Sequence, residues 1–286
     1  MSYKIITDSA CDLTATMLDR LNVTVVPLIV NFHGETRKDS VEDRDVLELY
    51  DGMRAGEVPT TSAINPDGWA TAMEPVLAAG EDVLVLTFSS GLSATYQSAV
   101  IAAGDLGEKY PRRKISVVDT GCAALGSGLL VWHTCKKRDE GLSLEELTAW
   151  VEDAKMHTCH WFTVDDLVYL KRGGRVSAAS AVLGAMLNIK PVLHVNDEGR
   201  LISMSKVRGR KAAIEALFKQ FDALHGEYNN EIIFISHADC REDAEKLKTM
   251  IQHRGFENVV ISNLGAVIGA HAGPGTLALF FMGKHR

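Results

Sequence analysis

Short β-rich apolar runs alternate with longer amphipathic ones through the first half of the chain, and this alternation restricts the fold more than any other feature. KIITDS, VTVVPLIVNF, DVLVLTFS and KISVVDT are separated by helical stretches over 14–21, 67–79 and 95–108. Strand and helix in turn read as βα units, whose strands form a largely parallel sheet. Three strands end in small polar clusters that open a helix: Asp8-Ser9 followed by Asp12, Ser89-Ser90-Gly91-Leu92-Ser93, and Asp119-Thr120-Gly121. In open α/β sheets the ligand crevice lies at such strand ends. A helix over 145–156, with Ser143 as N-cap and Glu146 three residues on, closes this half.

From Thr163 the pattern changes. VDDLVYLKRGGR leads into a small-residue helix over 177–187, and IKPVLHV and RLISMSKV form a hairpin around Asn196-Asp197-Glu198-Gly199. An amphipathic helix over 211–224, the strand EIIFISH, a helix over 243–253, the strand NVVISNL and a last strand around 276–282 complete the chain. The reading is an α/β chain of two domains, a parallel-sheet α/β domain over 1–156 and an α+β domain over 157–286. No Gly/Ser/Pro-rich linker separates them, so the two halves pack closely.

Composition narrows the function classes. With 46% hydrophobic and 23% charged residues the chain is neither disordered nor a disulfide scaffold. Thirty Lys and Arg against 37 Asp and Glu give a formal charge of -7, which argues against a nucleic-acid binder or a protein drawn to anionic membranes. The five cysteines, at 11, 122, 135, 159 and 240, contain no C-x-x-C pair and fit a reducing cytoplasm. The N-terminus has no secretory pattern, and His271 with Gly273-Pro274-Gly275 interrupts the apolar tail before it reaches the length of a membrane span. His157, Cys159 and His160 match no tetrahedral metal template, and neither a Walker loop nor a dinucleotide fingerprint is present.

Five segments carry candidate chemistry. Ser89 to Tyr96 brings hydroxyls and free N–H groups to a helix N-terminus, a ready anion site, although a plain Ser N-cap accounts for one of the serines. Thr60-Thr61-Ser62 is a second hydroxyl cluster that reads as helix capping unless it faces Ser93. Residues 265–276 combine four glycines with His271, which can donate to an anion while its small neighbours leave room for a ligand. Lys171-Arg172-Gly173-Gly174-Arg175 and the run 206–211, which includes Lys206 and Arg208, read either as solvated basic loops or as a phosphate clamp and a docking patch for an acidic partner.

In order along the chain, TDSACDL, PTTSAINP, SSGLSATYQSA, VVDT, DLVYLKRGGRVS, NIKPVL, KVRGRKA, SHA and IGAHAGPGTLAL resemble the DegV family. These are bacterial two-domain proteins that bind long-chain fatty acids and include the binding subunit of bacterial fatty acid kinase. The resemblance implies a carboxylate held between the domains by Thr61 and Ser93, with Ser62 and His271 nearby, and an acyl chain in an apolar tunnel of the second domain. It also implies a separate ATP-dependent kinase partner, for which Arg175, Lys206 and Arg208 are docking candidates. Two departures stand out: Ala94 replaces the family's usual Gly, and GCAALGSG replaces a more serine-rich segment after VVDT.

The expected function is therefore cytoplasmic binding of a palmitate-like fatty acid and its presentation to an acyl kinase, with no cofactor besides the lipid and no bound metal. The alternative is a serine hydrolase with Ser93 on a strand-turn-helix elbow and His271 as base, although Ala94-Thr95 replaces the x-Gly that the elbow demands.

Overall fold

The computed structural model describes residues 2–176, 188–226 and 230–286. Strands β1 (Tyr3–Asp8), β2 (Thr24–Val26), β6 (Asp82–Thr87) and β7 (Ile115–Asp119) form a parallel sheet in the order β2-β1-β6-β7. Every residue of β6 is buried, which explains its unbroken apolar run. Helices α1 (Ala15–Leu21), α3 (Pro66–Ala78), α4 (Thr95–Lys109) and α6 (Leu144–Ala154) fall where the periodicity predicts them. The Ser143–Glu146 capping box opens α6 as expected.

One expected strand is two. VTVVPLIVNF divides at Pro27, which has no N–H for a sheet ladder, into β2 and β3 (Ile29–Phe32). Strand β3 turns through His33-Gly34, both at positive φ, into β4 (Glu35–Lys38), and pairs on its other side with β5 (Thr60–Ser62). This antiparallel sheet, order β4-β3-β5, was absent from the sequence reading and carries Thr61.

The third sheet runs β10-β9-β8-β13-β11-β12, built from β8 (Thr158–Thr163), β9 (Ile189–Val195), β10 (Leu201–Arg208), β11 (Ile233–His237), β12 (Val259–Asn263) and β13 (Leu277–Met282). The β9–β10 hairpin forms as predicted, while β11 and β12 pair in parallel. Side chains alternate across this sheet. Trp161, Leu277, Leu279 and Phe281 join Leu217, Phe221, Leu247 and Ile251 of α8 (Arg210–Leu224) and α9 (Arg241–His253) in one core. Phe162, Ala278 and Phe280 belong instead to the core shared with the first half. The helix expected over 177–187 lies outside the described residues.

Helix α5 (Leu125–Asp139) packs against β8, β11 and β13 on one side and the turn after β1 on the other. A Cβ at Gly126 would lie 2.0 Å from His160 Nε2, so a glycine is needed there for the helix to approach β8.

Candidate functional site

Thr61 and Ser62 alternate across β5, and only Thr61 turns into the interior: it lines a cavity of about 280 Å³, whereas Ser62 is exposed on the opposite face. Opposite Thr61 stands α10 (Ala266–Ala272), a helix the sequence reading left as a Gly-rich segment. Its N-terminus is capped from far away. Asp12 Oδ2 accepts from Gly265 N at 3.1 Å, Asp39 Oδ1 from Val267 N at 2.8 Å, and Ser40 O from Ala266 N at 2.9 Å. The Tyr50 hydroxyl donates to Leu264 O at 2.8 Å, just before the helix. These contacts with the first half aim α10 so that His271 Nε2 lies 2.7 Å from Thr61 Oγ1.

The remaining polar groups gather around that pair. Gly173 leaves room for the imidazole, since a Cβ there would sit 2.3 Å from His271 Nδ1. Arg175, two residues on, donates through Nη1 to Gly173 O at 2.5 Å and through Nε to Leu92 O at 3.2 Å. Leu92 precedes Ser93, whose hydroxyl lines the cavity and lies 2.8 Å from Thr95 Oγ1. Burial, then the Arg175 guanidinium, push His271 down to about 4, so the ring is neutral at pH 7. Thr276 closes α10 by donating to Gly273 O at 2.8 Å and Ala272 O at 3.0 Å.

The rest of the lining is apolar apart from His160. It includes Phe88, Phe162, Val195, Leu201, Ile268 and Phe280. His160 pairs across the sheet with Phe280, three positions from the Thr163–Leu277 pair beside Thr276. At 3.3 Å per residue that is about 10 Å from the polar end. Its ring is internally satisfied: Nδ1 lies 2.8 Å from Thr158 O, and Nε2 accepts from Ala123 N at 3.2 Å. The GCAALGSG departure thus supplies Ala123 and Ala124 as small wall residues. Ala94, at φ -77° and ψ 3°, holds a conformation open to any L-residue, so the second departure adds no backbone strain.

Several expected residues take other places. Ser89 does not face the cavity; its hydroxyl donates to Gly199 O at 2.7 Å and ties the first half to the β9–β10 loop. Arg175, expected at a docking surface, is half-buried in the cavity wall. Lys206 lies in the predicted RLISMSKV strand, and Arg208 extends it by one residue; both are exposed on the edge strand β10. The hydrolase arrangement is not formed: Ser93 bonds Thr95, His271 bonds Thr61, and the charged group acting on His271 is a cation where a triad needs an acid. Among the described residues no cluster of His, Cys, Asp or Glu could hold a metal. The sequence reading missed Arg175 and Thr276 as wall residues, and the carboxylates of Asp12 and Asp39 as anchors of α10; only the distant pairing of elements reveals them.

Fold and cavity together define a class: an α/β protein with a largely apolar chamber walled by both halves of the chain and a polar cluster at one end of it. A family model, DegV, described as an uncharacterised protein family, matches residues 2–284. A DegV domain-containing protein of Clostridium perfringens is 42% identical over 98% of this chain and 97% of its own length. The chain belongs to the DegV family. Among solved structures, a DegV family protein from Thermus thermophilus, described for its fatty acid binding, matches with a TM-score of 0.89 at 35% identity, covering 99% of this chain and 100% of that one. A stearic-acid-binding protein from Eubacterium ventriosum matches with a TM-score of 0.83 at 27% identity, covering 99% and 98% of the two chains.

Proposed function

We propose that this protein binds a long-chain, palmitate-like fatty acid between its halves, 1–156 and 157–286, and presents the carboxylate to a separate ATP-dependent acyl kinase. The observation that carries this reading is the segregation of the cavity wall, with Thr61, Ser93, Arg175 and His271 at one end and aromatic and aliphatic side chains beyond. The fatty-acid-binding descriptions of the related structures support it. Burying about fourteen methylenes at about 0.8 kcal/mol each contributes on the order of 11 kcal/mol before binding costs, so the apolar wall dominates affinity. The polar cluster selects the head group. Thr61 and Ser93 donate to the carboxylate, a neutral His271 orients Thr61, and the Arg175 guanidinium balances the buried charge.

Neutral donors release a carboxylate or its acyl phosphate more readily than a close ion pair would, which suits a carrier. Hydrogen bonds to a charged acceptor contribute about 1.5 kcal/mol or more each, so Thr61→Ala with Ser93→Ala should weaken retention of a fluorescent fatty acid on the order of a hundredfold. Unchanged retention would place the head group elsewhere. For the partner, Arg208→Glu on the exposed edge strand should impair kinase-dependent turnover and leave the bound lipid in place; equal loss of both would refute the docking assignment.

A further inference from the structure

Helix α10 walls the chamber with Val267, Ile268, His271 and Ala272, and its first turn rests on two carboxylates of the other half. Asp12 ends the short turn Ser9–Cys11 that follows β1, and Asp39 follows β4. Asp12 accepts from Gly265 N and Asp39 from Val267 N, two residues apart at one helix end. Asp12 sits at φ 54°, a left-handed conformation that Asp and Asn tolerate better than other side chains with a Cβ.

The two carboxylates have different surroundings. Asp39 Oδ2 accepts from the Ser9 hydroxyl at 2.8 Å, so both of its oxygens are hydrogen-bonded. Asp12 Oδ1 has no hydrogen-bond partner and is closed to solvent. The backbone of α10 covers it, since a Cβ on Gly265 would lie 2.3 Å from that oxygen.

Nothing around Asp12 supplies positive charge. The charged groups acting on it are Asp39 and Asp8, both acidic. Cys11 beside it and Tyr50 from α2 (Asp43–Arg54) are neutral, their burial raising both. Helix α5 meets this turn through Gly128, and α10 brings its backbone N–H. An ionised oxygen here would have no donor, no water and no counter-ion, which costs far more than an unpaired neutral hydroxyl, so the group keeps its proton. Burial first, and then the Asp39 charge, raise Asp12 well above the ordinary carboxylate range. Asp39, whose charged form holds several donors, rises only to about 6 and carries the pair's one charge at pH 7.

We propose that Asp12 is a positioning residue for the lipid site that seats α10 only as a neutral carboxyl, and that loss of its proton in mild alkali unseats the helix, with His271 and the chamber wall, and releases the lipid. Ionised Asp12 is favoured wherever it can reach water, so rising pH shifts the protein toward arrangements in which α10 has left it. Lipid binds the seated arrangement, and in alkali it binds together with a proton. The link to lipid rests on the fatty acid reading above; the proton on Asp12 does not.

Two readouts on the delipidated full chain test the two parts. At pH 8, above the Asp8 value of about 7, the infrared difference between the parent and Asp12→Asn should show the carbonyl stretch of a protonated carboxyl in the parent, lost when the parent is taken to pH 9.5. No such band would overturn the proposal whatever the lipid does. The Kd of the parent for a fluorescent fatty acid should rise about tenfold or more between pH 7.5 and 9.5, and that of Asp12→Asn less than about threefold. The ligand carboxylate and His271, at about 4, do not titrate in that range. Asp39→Asn, which removes the like charge, should move the rise to lower pH, and it carries the test if Asp12→Asn does not fold. A flat profile in the parent, parallel profiles in parent and Asp12→Asn, or a rise that Asp39→Asn leaves in place would overturn the release step. A carboxyl band without fatty acid binding at any pH would overturn the fatty acid reading and the release step together, and uphold the neutral Asp12.

Discussion

His271 works as a neutral ring held between a hydroxyl and a cation. Its partner is Thr61 at 2.7 Å, and burial beside Arg175 lowers it to about 4. The unfolded chain, with an ordinary histidine near 6.5, binds more protons between those two values, so the contribution of His271 to stability is lost as pH falls from about 6.5 to 4. His133, also buried and lowered to about 4, acts in the same direction. Asp8 opposes them: burial raises it to about 7, so its contribution is present in acid and lost as pH rises through that value. Comparing His271→Gln with the parent isolates one group. The variant should lose less stability between pH 7 and pH 4.5, by on the order of 2 kcal/mol, in urea unfolding at the two pH values. Equal losses would mean that His271 is charged or solvated in the fold.

Among the elements, those governed by local chemistry were legible and those governed by distant contacts were not. The Ser143 capping box is written in four consecutive positions and forms as read; Ser143→Ala should cost about 1 kcal/mol in chemical denaturation. The β9–β10 hairpin is similarly local. Helix α10 is not: its caps are Asp12 and Asp39, more than 220 positions away, so the same residues read only as a Gly-rich segment. Pro27 marks the break between β2 and β3, but nothing local says that the two strands join different sheets. Within the site, the hydroxyl clusters around Thr61 and Ser93 stand out in the sequence, but the first reads locally as helix capping, and the pairing of the two around a carboxylate is what the resemblance to the DegV family implies. For Arg175 the KRGGR setting reads equally as a solvated loop or an anion clamp, and only packing against Leu92 and Gly173 turns it into the cavity wall. Gly126 belongs to this scale as well. Gly126→Ala would drive a methyl into an imidazole that Thr158 and Ala123 hold in place, and should destabilise the protein by about 1–3 kcal/mol in the same assay. No loss would show that α5 can move off β8 freely.

At the scale of the molecule, the chamber is walled by both halves: Thr61, Phe88 and Ser93 come from one, and Phe162, Leu201, His271 and Phe280 from the other. A ligand filling it binds the folded arrangement and not the unfolded chain, so it should stabilise the whole by mass action, about 2.7 kcal/mol at a hundred times its Kd. Delipidated protein should accordingly melt several degrees below the same protein reloaded with palmitate, and coincident curves would deny a shared chamber. The most direct test of the central claim is native mass spectrometry of the purified protein, followed by denaturing extraction and identification of any lipid released. The account predicts a one-to-one adduct at the mass of a long-chain fatty acid, lost when Thr61 and Ser93 are both replaced by Ala. An empty protein that also fails to take up added fatty acid would contradict it.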